Sequence, residues 1–408
     1  MNTRSNRAKS SGRRNAGQAG FTLVELLVAA VIFMIVSGAT LSLFAQHLPI
    51  FSRQQNLAEV NIALRNSVAQ MQLDISNAGS NYYTGLNIPN YPVGVVVKNN
   101  VVASGGDCRT GTPPAYGANC FDTLNIIVAD STTPPTQPST STGGCTDTSS
   151  AATIYLGPPA AIPPAVIPGQ APYATAALAT AAAANYKTGD LILFVKNDGS
   201  QYTTVKLSAN GSTGTIGAFT NKYVTLTGHT TTSTTVGTPG KNTSTDDPYD
   251  MTTNYNILLG ESFCPADSWA LRLTPIQYSV DLTDTSNPVL TRSVAGTAQT
   301  LSQKTLATQI IGFKVGASLY NSTTDTDSTT YCFSARAYDA NCPGVAAGTD
   351  GAWAYNYTLV RSVMISLIGR TKPVTDPTYT FRNVFDQGAY EIQGVSVVVN
   401  PRNMSMAD

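Results

Sequence analysis

The feature that most limits what this chain can become is a run of nineteen residues without a formal charge, Leu26–Phe44 (LLVAAVIFMIVSGATLSLF). Wound as a helix, residues 21–45 would span roughly 37 Å, enough to cross a hydrocarbon core of ~30 Å. No second run of this kind occurs in the 408 residues, which excludes a polytopic membrane protein. Ahead of the run stand Arg4, Arg7, Lys9, Arg13 and Arg14 with no acid among them. The positive-inside rule keeps such a leader in the cytoplasm and sends everything after residue 50 outward.

Charge divides the chain at the same place. The whole balances 24 Lys+Arg against 24 Asp+Glu, and without the five leader cations it holds 19 basic and 24 acidic residues. Charged residues are only 12% of the chain, about half the fraction usual in a soluble domain. Thr, Ser, Asn, Gly and Ala take their place, as in exported bacterial surface proteins. With no Lys/Arg cluster beyond residue 14, nucleic acid is not an expected partner. His47 and His229 are the only histidines, too few for a His-rich metal site and a thin basis for His-dependent catalysis.

Two ordinary explanations of the apolar run are a cleaved secretory signal and a plain signal anchor. The run exceeds the usual 7–15-residue core of a secretory signal. Neither explanation accounts for Glu25, a carboxylate with apolar residues on both sides. Such a charge inside a span is costly and marks a functional position. The stretch Gly20-Phe21-Thr22-Leu23-Val24-Glu25-Leu26-Leu27 resembles the class III, prepilin-type signal of type IV pilins and of the pseudopilins of type II secretion. The resemblance implies cleavage after Gly20 by a membrane prepilin peptidase, N-methylation of Phe21, and a role for Glu25 in neutralising the new amino terminus of a neighbouring subunit. The leader of twenty residues is longer than most in that family. A bare Gly20 lets a protease approach the scissile backbone closely, and a Glu25–amine pair would set the axial register of packed helices.

Beyond the span, Pro49 is expected to kink a continuing helix or to separate two helices. Leu57, Val60, Leu64, Val68, Met71, Ile75 and Ala78 then recur every three or four residues, which predicts an amphipathic helix ending at Gly79. Its stripe is expected to pack on a sheet of the same chain. The domain reading is therefore a leader at 1–20, a transmembrane or filament-core helix at 21–48, an amphipathic helix at 49–78 and an exported β-rich region at 79–408.

That last region breaks into short β-branched runs separated by Gly, Pro, Thr and Asn. Predicted strands are 93–98, 123–129, 190–196, 202–207, 276–282, 289–294, 309–319, 359–368 and 390–400. Helix–strand alternation is missing, so the expected fold is α+β and pilin-like: a long N-terminal helix on an antiparallel sheet with large loop insertions. The insertions are assigned to 130–188, rich in Pro, Thr, Ser and Ala, and to 225–256, too polar to form a core, and both read as solvated loops. In the C-terminal third, PIQYSVD at Pro275, NPVLTRSV at Asn287, LATQIIGFKV at Leu306, LVRSVMISLIGRT at Leu359, FRNVF at Phe381 and the terminal VVVNPRN resemble PilW-type minor pilins in order and spacing.

Six cysteines, Cys108, Cys120, Cys145, Cys264, Cys332 and Cys342, all fall in the exported part and read as disulfides. Fifteen pairings are possible. The short separations favour Cys108–Cys120 and Cys332–Cys342, which leaves Cys145–Cys264 to tie the first insertion to the body. No C-x-x-C occurs, so no zinc or thioredoxin-like site is expected. Calcium is the one metal with candidate ligands, at Asp246, Asp247 and Asp250, at Asp281 and Asp284, and at Asp325 and Asp327. None of these has EF-hand spacing, and no cofactor is assigned. His229 lies outside any G-x-S-x-G context and His47 sits at the end of the span, so an enzyme is not expected.

The resemblance implies a minor pilin of a type IV pilus or its initiation complex. Its partners would be prepilin peptidase, other major and minor pilins, the inner membrane and the pilus assembly platform. Two alternatives are a GspJ-like pseudopilin of type II secretion and an adhesin that displays the insertions at a filament tip.

Overall fold

The computed structural model describes residues 22–79, 94–98, 108–111, 115–117, 120–130, 132–139, 144–147, 153–159, 172–196, 202–228, 232–233, 256–257, 262–265, 267–295, 301–321, 326–327, 360–374 and 380–401. The chain divides into two compact units, residues 1–56 and 57–408. In the first, every described residue from Leu23 onward belongs to helix α1 (Leu23–Ser76). This part of α1 is apolar and long enough to cross a membrane, and its large side chains, including Leu23, Phe33, Ile35, Phe44 and Phe51, are exposed. α1 passes through Pro49 as one helix, so the break foreseen there from proline's missing N–H does not divide it.

The second unit opens with the rest of α1, and here the stripe turns inward. Leu64, Val68, Met71, Ile75 and Ala78 are buried, with Val60 and Ala63 packed beside them. Their spacing puts them on one helix face, which is why burial follows the sequence period. Gly79 ends the helix at φ +69°, a left-handed conformation that suits a residue without Cβ. Its N–H donates to the Ile127 carbonyl at 2.9 Å, which ties the helix end to the sheet.

In chain order the longer elements are β1 (Val95–Lys98), β2 (Thr123–Ala129), β3 (Thr153–Leu156), α2 (Ala176–Ala183), β4 (Leu191–Lys196), β5 (Tyr202–Lys206), β6 (Ser212–Ile216), β7 (Phe219–Thr227), β8 (Ser268–Asp281), β9 (Val289–Ala295), β10 (Leu301–Thr308), β11 (Ile310–Asn321), β12 (Val360–Arg370) and β13 (Ile392–Val399). One sheet runs β1-β2-β8-β4-β5, with β9 also on β8 and β10 on β9; a second joins β6-β7-β3 and a third β11-β12-β13. Among the described residues the pairing is antiparallel except for the two-residue pair Thr232–Ser233 with Asn256–Ile257 and the single parallel bridge of Phe121 to Phe313. The fold is α+β, a long helix followed by antiparallel sheets.

β8 organises the first sheet. Along one edge Ser268–Leu273 pairs with β4 and then Ile276–Asp281 with β9, while the other edge pairs with β2. The Arg272 carbonyl accepts from the Asp130 N–H at 2.8 Å, toward β2. By strand alternation Pro275 then faces the opposite edge, where pairing passes from β4 to β9, so its missing N–H falls at the change of partner.

Two hydrophobic cores result. The larger holds the α1 stripe with Leu124 and Ile126 of β2, Phe313 and Val315 of β11, and Val363 and Ile365 of β12. The smaller collects Ile154, Leu156, Tyr173, Ala179, Ala183, Val205, Val224 and Leu226. β4 (LILFVK) serves both: Leu191, Leu193 and Val195 enter the first, Ile192 and Phe194 the second. Residues 130–188 are therefore not simply solvated loop. They supply β3, Tyr173, Tyr186 and α2 to the smaller core, and α2 starts on Thr175, whose hydroxyl accepts from the Leu178 N–H. Composition misled here because alanine is both a loop filler and the strongest helix former. Most of 225–256 lies outside the described residues.

Ion pairs on largely buried carboxylates fasten the elements. Asp74 of α1 accepts from Arg292 Nε of β9 at 2.7 Å and from the Tyr278 hydroxyl of β8. Arg272 bridges Asp130 at 2.6 Å and Asp190 at 2.9 Å. Asp122 accepts from Lys314 Nζ and from the Val315 N–H, both at 2.9 Å.

Candidate functional site

The head of α1 is built from the residues of the sequence motif. Thr22 directly precedes the helix and Glu25 sits in its first turn. The Thr22 N–H donates to Glu25 Oε2 at 2.9 Å and the Thr22 hydroxyl to the same oxygen at 3.0 Å. In return the Glu25 N–H donates to the Thr22 hydroxyl at 3.3 Å. This reciprocal arrangement is a capping box, in which T-x-x-E satisfies N–H groups that the first helical turn leaves without a partner. The carboxylate also lies at the positive end of the helix dipole. Glu25 is thus exposed and held in place by Thr22 of its own chain, three residues ahead of it. Both hydrogen bonds to the carboxylate use Oε2, and a carboxylate offers about four acceptor positions, so capacity remains for a cation brought from outside.

Residues 15–41 match the family model of the prokaryotic N-terminal methylation motif. The chain therefore carries the signal of prepilin-type processing, and the match contains Gly20, Phe21, Thr22 and Glu25. No curated protein and no solved structure matches the chain. The N-terminal motif, the apolar helix and the antiparallel sheets together describe a structural, pilin-like layout.

The other sequence candidates scatter. Gly20 and Phe21 lie outside the described residues, as do Cys332, Cys342, His229, Asp246, Asp247, Asp250 and Asp325. Cys108 is bonded to Cys120 and Cys145 to Cys264. The second bridge spans 119 residues and links the segment after β2 to the start of β8. His47 is an exposed residue of α1. Asp281 accepts from the Thr283 N–H and hydroxyl, and Asp284 from the Ser286 N–H and hydroxyl. Those hydroxyl bonds hold both carboxyls below the usual range and close two local turns. Among the described residues no group of three His, Cys, Asp or Glu side chains could hold a metal ion.

The sequence reading gives two sets of residues no role. Thr22 is one, although T-x-x-E ahead of an apolar run is the signature of a capping box. Asp74, Tyr278 and Arg292 were not connected, and only their contact across more than 200 residues reveals them.

Proposed function

We propose that this chain is a minor pilin of a type IV pilus, PilW-like in subtype. Prepilin peptidase removes residues 1–20 after Gly20, and the new terminal Phe21 is N-methylated. The protein then waits in the inner membrane with its terminus on the cytoplasmic side and residues from about 50 onward in the periplasm. On assembly the apolar half of α1 leaves lipid for the filament core, and Glu25 accepts the amine of a neighbouring subunit. The observation that carries this reading is the methylation motif at the head of a helix whose apolar side chains are exposed. Such a surface requires lipid or other apolar helices around it. The C-terminal blocks of PilW type support the minor-pilin subtype over the GspJ-like alternative.

The test is intact mass and N-terminal sequencing of membrane-extracted protein, wild type beside Gly20→Ala and Glu25→Ala. The reading requires a terminus at methyl-Phe21 that the Gly20 variant loses and the Glu25 variant keeps. A chain starting at Met1, or cut beyond residue 44, overturns it. The Glu25 variant should then be processed yet missing from sheared pili.

A further inference from the structure

The two disulfides stand in opposite relation to the two cores. Cys120 is buried in the larger core and Cys108 packs against it, as does Tyr116 between them in the chain. Cys145 is exposed, Cys264 is half-buried, and neither belongs to a core. Yet every buried residue of the smaller core except Ala270 falls between those two cysteines, from Ile154 to Phe263. From the same stretch the larger core takes only Leu191, Leu193 and Val195, all in β4. A bond joining positions 119 residues apart therefore encloses nearly all of one core and little of the other.

The bond extends a very short ladder. Thr146–Asp147 pairs antiparallel with Ser262–Phe263, Thr146 opposite Phe263, so the next pair along is Cys145 and Cys264 themselves. Thr146 is buried, and its hydroxyl donates to the Ser139 carbonyl at 2.7 Å. Phe263 is fully buried in the smaller core, its ring centroid 6.0 Å from that of Phe194 in β4. The bridge thus sits one residue from a large side chain of the core it encloses. The larger core has other fastenings. The α1 stripe, β2, β8, β11 and β12 all lie outside residues 145–264. β4 is hydrogen-bonded along β8, and Arg272 of β8 holds Asp190 just ahead of it.

We propose that Cys145–Cys264 is a redox-sensitive latch on the smaller core. A dithiol protein of the C-x-x-C class opens it while Cys108–Cys120 stays closed, and the opening loosens the smaller core alone. Access selects the bond, because thiol–disulfide exchange requires a thiolate to reach a sulfur. One thiolate of the dithiol attacks the sulfur of exposed Cys145, and Cys264 leaves as a thiolate. The second thiol of the dithiol then attacks its partner sulfur in the mixed disulfide, and Cys145 leaves. Two electrons and two protons pass to the chain, and the dithiol becomes a disulfide. Loop length selects the consequence, since a bond closing a long loop restrains the open chain more than one closing 12 residues. Only the place of the encounter, outside the inner membrane, rests on the pilin reading.

The experiment uses the full chain in detergent micelles, with reduced thioredoxin as the C-x-x-C probe. Thiols are trapped with iodoacetamide at intervals and located by peptide mass. Cys145 and Cys264 should be alkylated about tenfold faster than Cys108 and Cys120. Hydrogen exchange on the same samples should then rise about tenfold at the amides of β3, α2 and β7, and stay unchanged in β2, β11 and β12. Reoxidation with oxidised glutathione should return the protection. The paired variant Cys145→Ser with Cys264→Ser should exchange like the reduced chain and ignore thioredoxin. Equal rates at the two bonds, earlier opening of Cys108–Cys120, unchanged exchange, faster exchange throughout both cores, or protection that reoxidation does not return each overturns the proposal. Amino-terminal sequencing of the same preparation tests the pilin reading separately, because neither the reduction nor the exchange depends on cleavage after Gly20.

Discussion

The two halves of α1 have opposite fates. Up to residue 56 the large apolar side chains are exposed all round; from Leu57 onward one apolar face, Val60 to Ile75, packs into the core of the same chain, while Ile62 and Leu73 stay exposed on the other. The difference lies in both amount and pattern: Leu26–Phe44 carries no charge, whereas Glu59, Arg65 and Asp74 interrupt the apolar positions of the second half. A helix that is apolar on every side cannot be covered by one sheet and must be surrounded, whereas a stripe recurring every three or four residues can be. One continuous helix therefore combines a segment that demands outside partners with a segment that anchors a domain.

Substitutions in the two halves should separate cleanly, and the unfolding of detergent-solubilised full chain, followed through the buried Trp269, is the common measurement. Asp74→Ala is expected to have the largest effect, a loss of about 3–5 kcal/mol, because Arg292 and Tyr278 would lose their shared acceptor. An unchanged denaturation midpoint would show that the ion pair does not hold the covered half. Met71→Ala should cost about 3 kcal/mol by opening a cavity between α1 and the sheets. In the exposed half, Ile32→Arg should leave that midpoint where it is and instead weaken membrane insertion by about 2.5 kcal/mol, read as chain released by carbonate extraction. Were Ile32→Arg to shift domain unfolding as far as Met71→Ala does, the contrast between the halves would collapse. The smallest effect belongs to Thr22→Ala. Loss of the cap costs about 1 kcal/mol, seen as roughly fivefold faster hydrogen exchange at the first-turn amides in micelles.

Much of this fold was legible because its signals are local. Thr123–Ala129 matches the predicted strand end to end, and the helix stripe from Leu64 to Ala78 is buried as its period required. The β6–β7 hairpin was not seen. Ser212–Ile216 and the first half of Phe219–Thr227 are polar and largely exposed, so they show little of the alternation that marks a half-buried strand. β10 (LSQKTLAT) was hidden for a similar reason, having few apolar residues to alternate. Pro275 obscured the first half of β8, since proline argues against an interior strand unless a change of partner is known. At the candidate site, Glu25 was conspicuous because an isolated carboxylate beside an apolar run is rare. The hydrogen bond from the Tyr116 hydroxyl to Asp386 was invisible, because Tyr116 lies 270 residues away and no local pattern encodes that approach.

The double role of β4 has a consequence for how this chain avoids misfolding. Its successive side chains go alternately to two different cores. A slip of one residue against β8 would therefore not merely expose a hydrophobic face. It would exchange the contents of both cores at once, sending the Phe194 ring toward the helix side and Leu193 toward α2. Each core thus proofreads the alignment of the other, and the segment that looked like a dispensable insertion becomes a second check on how the central sheet is threaded.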